Sequence, residues 1–240
     1  MSSFSSIFPF VSSVSSSVPM CRMGVNGSLL TAGLDSIDNV NNRLLTETYM
    51  PRHRFTDTRD RLEKAAIRLF VEKGVTETSV RDIARAVDIS EGALYRHFVS
   101  KDELVWAAFE RHYVEFADRL QSLAKSESDV RGKLGAMIRG FCHAHDENPT
   151  LFRFLLFVQH GQLSKLAPGT PTPVDAVRAV IEKGVAAKEI PAQHPDLATA
   201  LVFGIVLQPV TFAAYGRLPS TMSAMSDRLV TAAWAAVSAA

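Results

Sequence analysis

The segment from Thr78 to Lys101, TSVRDIARAVDISEGALYRHFVSK, concentrates side chains that form hydrogen bonds with phosphate and with base edges. Its second half contains Gly92, Ala93, Tyr95, Arg96 and His97. Tyrosine and histidine donate to phosphate oxygens, and arginine reaches a phosphate or the O6/N7 edge of guanine. The two small residues let a helix N-terminus approach a base closely. This combination is typical of a helix that enters the DNA major groove.

Two short helices around a tight turn are predicted to hold these side chains. The first opens at Ser79, with Asp82 three residues on as a partial capping box. Its inner face consists of Val80, Ile83, Ala84 and Val87. Asp88 suits the turn because aspartate tolerates a left-handed backbone, and Ser90 caps the next helix. Leu94 and Phe98 face inward in that helix, so its polar side faces outward.

Helices are predicted on both sides of this unit and through the rest of the chain. The first runs from Asp57 or Thr58 to Lys73 and stops at Gly74. The fourth begins with a Ser100–Glu103 capping box and a Val99–Leu104 hydrophobic staple, and continues to about Ser122. Later helices are predicted at Val130–Asp146, Leu151–Leu163, Pro173–Lys188, Pro195–Tyr215 and Met222–Ser238. The predicted fold is all-α, with a three-helix helix-turn-helix head at 51–104 and a helical-bundle body at 105–240.

Charge and cysteine content limit the other possibilities. The net charge of the 240 residues is +1, so DNA binding must come from a local patch. Residues 51–101 hold 11 Lys/Arg against 8 Asp/Glu. Two cysteines predict no disulfide framework, and Cys142, His143 and His145 do not converge on one helix face, so no metal is expected. No nucleophile elbow or phosphate loop is present, which argues against an enzyme, and no cofactor is expected.

Two segments leave alternatives open. Residues 1–50 are Ser-rich and lack helical or alternating order, so they are either a disordered tail or a stretch ahead of a true start at Met50, which we favour. A run of 20 residues without charge lies between Asp196 and Arg217. It is long enough to span a membrane, but a helix buried within a soluble all-α protein explains it equally well.

The motif resembles the TetR family of one-component bacterial regulators. The matching positions, between Arg59 and Leu104, are Ser79, Ile83-Ala84, Ser90, Leu94-Tyr95, His97-Phe98, Lys101 and Asp102-Glu103. One departure is Val87-Asp88, where the family usually has Ala-Gly. The candidate DNA-contacting residues are Ser79, Arg81, Ser90, Glu91, Gly92, Ala93, Tyr95, Arg96, His97 and Lys101. Packing of Tyr95 on helix one, a helix-dipole role for Glu91 and simple solvation of Arg96 are the alternatives.

The resemblance implies a cytoplasmic homodimer that binds a double-stranded operator and is released by a small-molecule effector. The candidate effector-binding residues are Phe141, His145, Phe154, Phe157 and His160, with Phe152 beside them; ordinary core packing is the alternative. The candidate dimer interface contains Phe203, Leu207, Val230, Ala233, Trp234 and Val237, which would remove any need for a membrane. A nucleoid-associated adaptor whose body binds a protein partner is the alternative function.

Overall fold

The computed structural model describes residues 52–218 and 221–239, with side chains from Asp57 onward, so the predictions for residues 1–50 lie outside it. The described residues are helical throughout, with short 3-10 turns and no strand, which confirms the all-α prediction. The helices are α1 (Arg52–Lys73), α2 (Val80–Ala86), α3 (Glu91–Tyr95), α4 (Lys101–Lys125), α5 (Val130–Glu147), α6 (Pro149–Gln162), α7 (Pro173–Ala186), α8 (Pro195–Ala214) and α9 (Ser226–Ser238).

The start of α1 was predicted incorrectly. The helix begins at Arg52, so Asp57 and Thr58 lie inside it and do not cap it. Residues that favour caps also fit a helix interior when their side chains face solvent, and the sequence alone does not separate the two cases. The predicted end at Lys73 is confirmed, because Gly74 follows with a positive φ of 92°.

Hydrogen bonds at the helix starts agree with most of the predicted caps. The Ser79 hydroxyl accepts from the backbone N–H of Asp82 at 3.1 Å, and the Asp82 carboxylate accepts from Ser79. This capping box is complete, not partial. At α4 the Ser100 hydroxyl caps Glu103 at 3.1 Å. The staple between Val99 and Leu104 is absent, because Val99 is 81% exposed while Leu104 is fully buried.

The core of the head continues past residue 104. Buried residues of α1, α2 and α3 pack with the first half of α4 and with Phe154, Leu155 and Val158 of α6. The Phe154 ring stacks on Phe70 of α1 with the centroids 6.1 Å apart. Helix α6 is therefore part of the head's core as well as part of the body, and the boundary at 104 remains a prediction.

The body is built around α5, which packs against α4, α7 and α9. Two glycines allow the close approaches. A Cβ on Gly140 would lie 2.1 Å from Cδ1 of Leu123 in α4, and one on Gly184 of α7 would lie 2.7 Å from Cγ2 of Val130. Both distances are far inside van der Waals contact, so a larger residue at either position would require the facing Leu123 or Val130 side chain to shift.

Asp146 near the end of α5 holds the segment that leads into α9. Its carboxylate accepts the backbone N–H of Met222 and of Ser223, both at 2.8 Å, and His145 Nδ1 lies 3.1 Å away. Burial raises the pKa of Asp146, but the hydrogen bonds from Ser223, His145 and Met222 outweigh it and lower the pKa from 3.8 to about 2. The charged form is therefore stabilised in the folded protein.

Replacing Asp146 by Asn should lower the free energy of unfolding at pH 7 by about 1–3 kcal/mol, because two backbone donors lose a charged acceptor. The folded pKa is depressed, so this contribution is complete above the unfolded pKa and disappears as the pH falls towards 2. Urea denaturation at pH 7 and at pH 2 should show a difference between wild type and variant only at pH 7. Asp227→Asn, at a carboxylate that is 84% exposed, is the matched control. An equal loss at both pH values would contradict this account.

Candidate nucleic-acid interface

Helix α3 is fixed by its inner side, and this decides which side chains face outward. Leu94 and Phe98 are 0% and 1% exposed within the head's core. Ser90 caps the helix by accepting the backbone N–H of Ala93 at 3.1 Å. The side that faces solvent carries Glu91, Gly92, Tyr95 and Arg96, and Ala93 and His97 are half-buried at its margin. Tyr95 is 48% exposed, so it does not pack fully onto α1.

The turn before α3 adopts the backbone that its sequence predicts. Asp88 has a φ of 58°, in the left-handed region. The N–H of Asp88 donates to Arg85 at 3.2 Å, and that of Ile89 donates to Ala84 at 3.0 Å. Aspartate accepts this conformation at a modest cost compared with glycine. The Val87-Asp88 departure therefore leaves the turn intact.

Three basic side chains of the head are engaged with its own backbone. Arg59 donates to the carbonyl of His97 at 2.8 Å, and its guanidinium carbon lies 4.2 Å from the centroid of the Phe98 ring. Arg61 donates to the carbonyl of Val87 at 2.9 Å. The ammonium of Lys101 donates to the carbonyls of Val75, Thr76 and Thr78 at 2.8, 3.3 and 3.0 Å. The phosphate contact of Lys101 stays a prediction, and the structure adds a role in holding the α1–α2 loop.

Exposed cations of the helix-turn-helix lie on α2 and at the end of α3. The side chains of Arg81 and Arg85 are 73% and 69% exposed. Arg81 Nε lies 3.9 Å from Glu91 Oε1, so Glu91 faces a charge of α2 as well as the dipole of its own helix. Arg85 was missed at the sequence level, although its i, i+4 spacing from Arg81 was a usable signal.

His97 differs in charge from the neighbouring arginines. Burial lowers the pKa of His97, and the guanidinium groups of Arg59 and Arg96 lower it further. The imidazole is therefore predominantly neutral at pH 7.

A buried ion cluster joins α1 to α4. The carboxylate of Glu63 is 3% exposed, and it accepts from Arg111 and lies 3.0 Å from His112 Nε2. Arg111 also reaches Asp60 at 3.1 Å. Burial raises the pKa of Glu63, but the hydrogen bonds from His112 and Arg111 outweigh it and leave the pKa lowered. A displacement of α4 would therefore act directly on α1.

The body contains a cavity of about 310 Å³ between α4, α5, α6, α7 and α8. Its lining is made up of Tyr113, Phe116, Phe141, Phe152, Leu155, Leu156, Gln159, Pro173, Val174, Asp196, Thr199, Ala200, Phe203 and Leu207. Of the predicted effector-binding residues, Phe141 lies in this lining, with Phe152 beside it. The other four do not line it, so their assignment is corrected.

The reason for each correction is the direction of the side chain. Phe154 is 1% exposed and points into the head's core, and Phe157 is 64% exposed to solvent. His160 is also exposed. His145 contacts Asp146 at 3.1 Å and reaches the cavity only through the edge of the Phe152 ring. Phe154, Phe157 and His160 lie on α6. The aromatic content of this segment does not show which side of the helix faces the cavity.

The predicted dimer face needs a similar correction. Val230, Ala233 and Val237 are 9%, 0% and 0% exposed, so they belong to the core of the protomer. Phe203, Leu207 and Trp234 are half-buried against that core, and two of them line the cavity. The exposed stripe of α8 contains Leu197, Leu201, Gly204, Gln208 and Phe212, and exposed Tyr215 follows the helix. The exposed residues of α9 are Asp227, Arg228, Thr231, Ala232 and Ala235.

Residues 62–108, from α1 through α2 and α3 into α4, match the family described as bacterial regulatory proteins, tetR family. The head of the chain therefore has the helix-turn-helix of this family. The match covers the helix-turn-helix and confirms the resemblance drawn from its residues.

Two relatives show how far the similarity extends. MftR of Mycobacterium tuberculosis, named as a transcriptional regulator, is 33% identical over 105 residues, which are 44% of this chain and 52% of MftR. The transcriptional repressor NemR of Escherichia coli is 27% identical over 141 residues, 56% of this chain and 65% of NemR. The chain thus spans about half of the first relative and just under two thirds of the second.

Among solved structures, FadR of Bacillus subtilis in complex with stearoyl-CoA has a TM-score of 0.61 at 17% sequence identity. The match covers 75% of this chain and 97% of FadR. At this identity the similarity establishes the fold of the head and body, and nothing about their ligands.

Replacing Lys101 by Met should lower the free energy of unfolding by about 1–3 kcal/mol, because three carbonyls lose a charged donor. Denaturation with urea measures this change in the absence of DNA. Lys64→Met, at an exposed lysine of α1, should stay within about 0.5 kcal/mol of wild type. If Lys101→Met is as stable as the Lys64 control, the lysine has no structural role in the head.

Proposed function

We propose that this protein is a homodimeric, sequence-specific DNA-binding transcription regulator, and a repressor that a small, mostly apolar ligand releases from its operator. The observation that carries the proposal is the outward side of α3. Its Tyr95 and Arg96 face solvent while Leu94 and Phe98 anchor the helix in the core. A polar helix face held rigidly away from the rest of the molecule has the geometry of a major-groove reader.

The DNA contacts divide into positioning and reading. Gly92 lies at the start of α3 with no atom of the protein within 4 Å of the place of a Cβ, apart from the Ser90 hydroxyl at 4.0 Å. Base edges can therefore approach this turn closely. Tyr95 and His97 donate to phosphates, and Arg81, Arg85 and Arg96 supply the positive charge. Ser79 and Ser90 cap α2 and α3 and orient the starts of these helices towards the phosphate backbone of the DNA.

A dimer accounts for the charge-free helix. Helix α8 has the length and composition of a membrane span, but one such helix is weak evidence, and 28% of its most apolar window is buried within the protomer. Its exposed stripe, from Leu197 to Phe212, lies beside small residues of α9 such as Ala232 and Ala235. Two copies of this face would form a four-helix interface and leave the two heads free for one operator.

Release by a ligand is supported by the helices that the cavity shares with the head. Phe152, Leu155 and Gln159 of α6 line the cavity, while Phe154 and Val158 pack into the head's core. Tyr113 of α4 lines the cavity next to the residues that hold Glu63 of α1. A ligand that shifts α4 or α6 would therefore move the head. FadR, with the same fold, is a transcriptional regulator that binds stearoyl-CoA, and NemR is a repressor.

Alanine at both Tyr95 and Arg96 should abolish specific operator binding and leave the dimer folded. Each lost contact should cost about 1–3 kcal/mol of binding free energy. Selection from random duplexes defines the operator, and fluorescence anisotropy measures affinity at several salt concentrations, where wild-type binding should weaken steeply. Arg153→Ala, at an exposed arginine of α6, is the control. Unchanged operator affinity in the double variant would refute the assigned face.

Replacing Leu201 by Arg should convert the dimer to a monomer, because a charge would be buried at the centre of the α8 face. Leu201 is 44% exposed in the protomer, so the fold should survive. Light scattering coupled to size-exclusion chromatography measures the mass, and circular dichroism checks the helix content. Leu163→Arg, at a leucine that is 38% exposed outside this face, should remain dimeric. A Leu201 variant that is still dimeric would remove α8 from the interface.

A further inference from the structure

We infer that the cavity accepts an uncharged ring compound that carries one hydroxyl or carbonyl group, and that it rejects anions. The inference rests on the proposed function, because the cavity is the site where the releasing ligand would bind.

The shape of the lining favours a flat ring. Phe116, Phe141 and Phe152 form a cluster in which every pair is edge-to-face, with centroids 5.7, 5.3 and 4.8 Å apart. Tyr113 and Phe203 add two more rings. Edge-to-face walls present both faces and edges of rings, and a further ring packs against them with the same geometry.

The hydrogen-bonding capacity of the lining is small and localised. The Tyr113 hydroxyl has no hydrogen bond to any residue that the structure describes, although the side chain is only 8% exposed. Gln159 of α6 donates one long bond of 3.4 Å to the carbonyl of Leu156, which leaves its amide oxygen available. Thr199 offers little, since its hydroxyl donates to Pro195 at 2.8 Å. One polar group on the ligand is therefore enough to satisfy the hydrogen-bonding groups that remain available in the lining.

The charges around the cavity exclude an anion. Asp196 is the sole charged residue of the described lining, and it lies at the mouth with its side chain 62% exposed. Arg178 Nε pairs with it at 2.8 Å. Burial raises the pKa of Tyr113 and the carboxylate of Asp175 raises it further, so the surroundings disfavour negative charge. A ligand carboxylate would lose its hydration without gaining a cation.

A cationic ligand is also disfavoured, because the lining offers it no available counter-ion. The carboxylate at the mouth is already paired with Arg178, and the inner lining is aromatic and aliphatic. An ammonium placed among the rings would gain a cation–π contact, which is smaller than the cost of burying a charge without a counter-ion. The volume of about 310 Å³ lies at the small end of the roughly 300–1,000 Å³ that is usual for ligand pockets. A fused two-ring compound fits this space.

Calorimetric titration of the full chain at pH 7 with three probes tests the inference. 2-Naphthol is the uncharged probe, 2-naphthoate the anion and 2-naphthylmethylammonium the cation. 2-Naphthol should bind, and each charged probe should bind at least about a hundredfold more weakly because its charge is buried unpaired. Equal or tighter binding of either charged probe would overturn the inference, as would failure of 2-naphthol to bind.

Two variants locate the binding site. Tyr113→Phe keeps the ring and removes the hydroxyl, and it should weaken 2-naphthol binding about three- to tenfold. Phe157→Leu changes an aromatic residue of α6 that is 64% exposed outside the cavity, and it should leave binding unchanged. Equal affinities in the two variants would exclude Tyr113 as the polar contact. Circular dichroism of both variants confirms that they are folded.

Operator selection on the same wild-type sample separates this inference from the proposed function. A protein that selects a DNA sequence but prefers 2-naphthoate would remain a regulator, and the assigned ligand class would be wrong. A protein that binds 2-naphthol through Tyr113 but selects no DNA sequence would retain the assigned ligand class, and the regulator proposal would be wrong.

Discussion

The burial of Leu94 and Phe98 determines which side chains the head exposes around α3. These two residues, 0% and 1% exposed, hold the short α3 in a core that it shares with α1, α2 and α4. A helix of five residues has little stability of its own. Its position therefore comes from tertiary packing, and the packing dictates that Tyr95 and Arg96 face solvent. The cap at Ser90 and the left-handed Asp88 fix where the helix begins.

Two sets of basic residues in the head have different roles. Arg59, Arg61 and Lys101 donate to backbone carbonyls of loops and helix ends, where charge-assisted hydrogen bonds hold the short elements together. Arg81 and Arg85 extend into solvent beside α3. The cations that bond to the backbone therefore stabilise the surface on which the exposed cations lie.

Two helices connect the head to the body, and each contacts the head with one side and the cavity with the other. Helix α6 places Phe154 against Phe70 in the head and Phe152 against the cavity. Helix α4 carries Tyr113 at the cavity and Arg111 at the buried carboxylate of Glu63. Because the interiors of proteins are close-packed, a change of volume on one side of such a rod is transmitted to the other.

The sequence by itself determined the helical fold, the helix-turn-helix and its capping residues, because these depend on contacts between near neighbours in the chain. Ser79, Asp82, Asp88 and Ser90 act within a few residues of themselves, and local spacing is sufficient to identify them. The tertiary structure decided which side of each body helix is buried. Phe152, Phe154 and Phe157 are equivalent in the sequence, and only the packing of distant helices places them at the cavity, in the core and on the surface. The same holds for Lys101, whose three carbonyl partners lie more than twenty residues away along the chain.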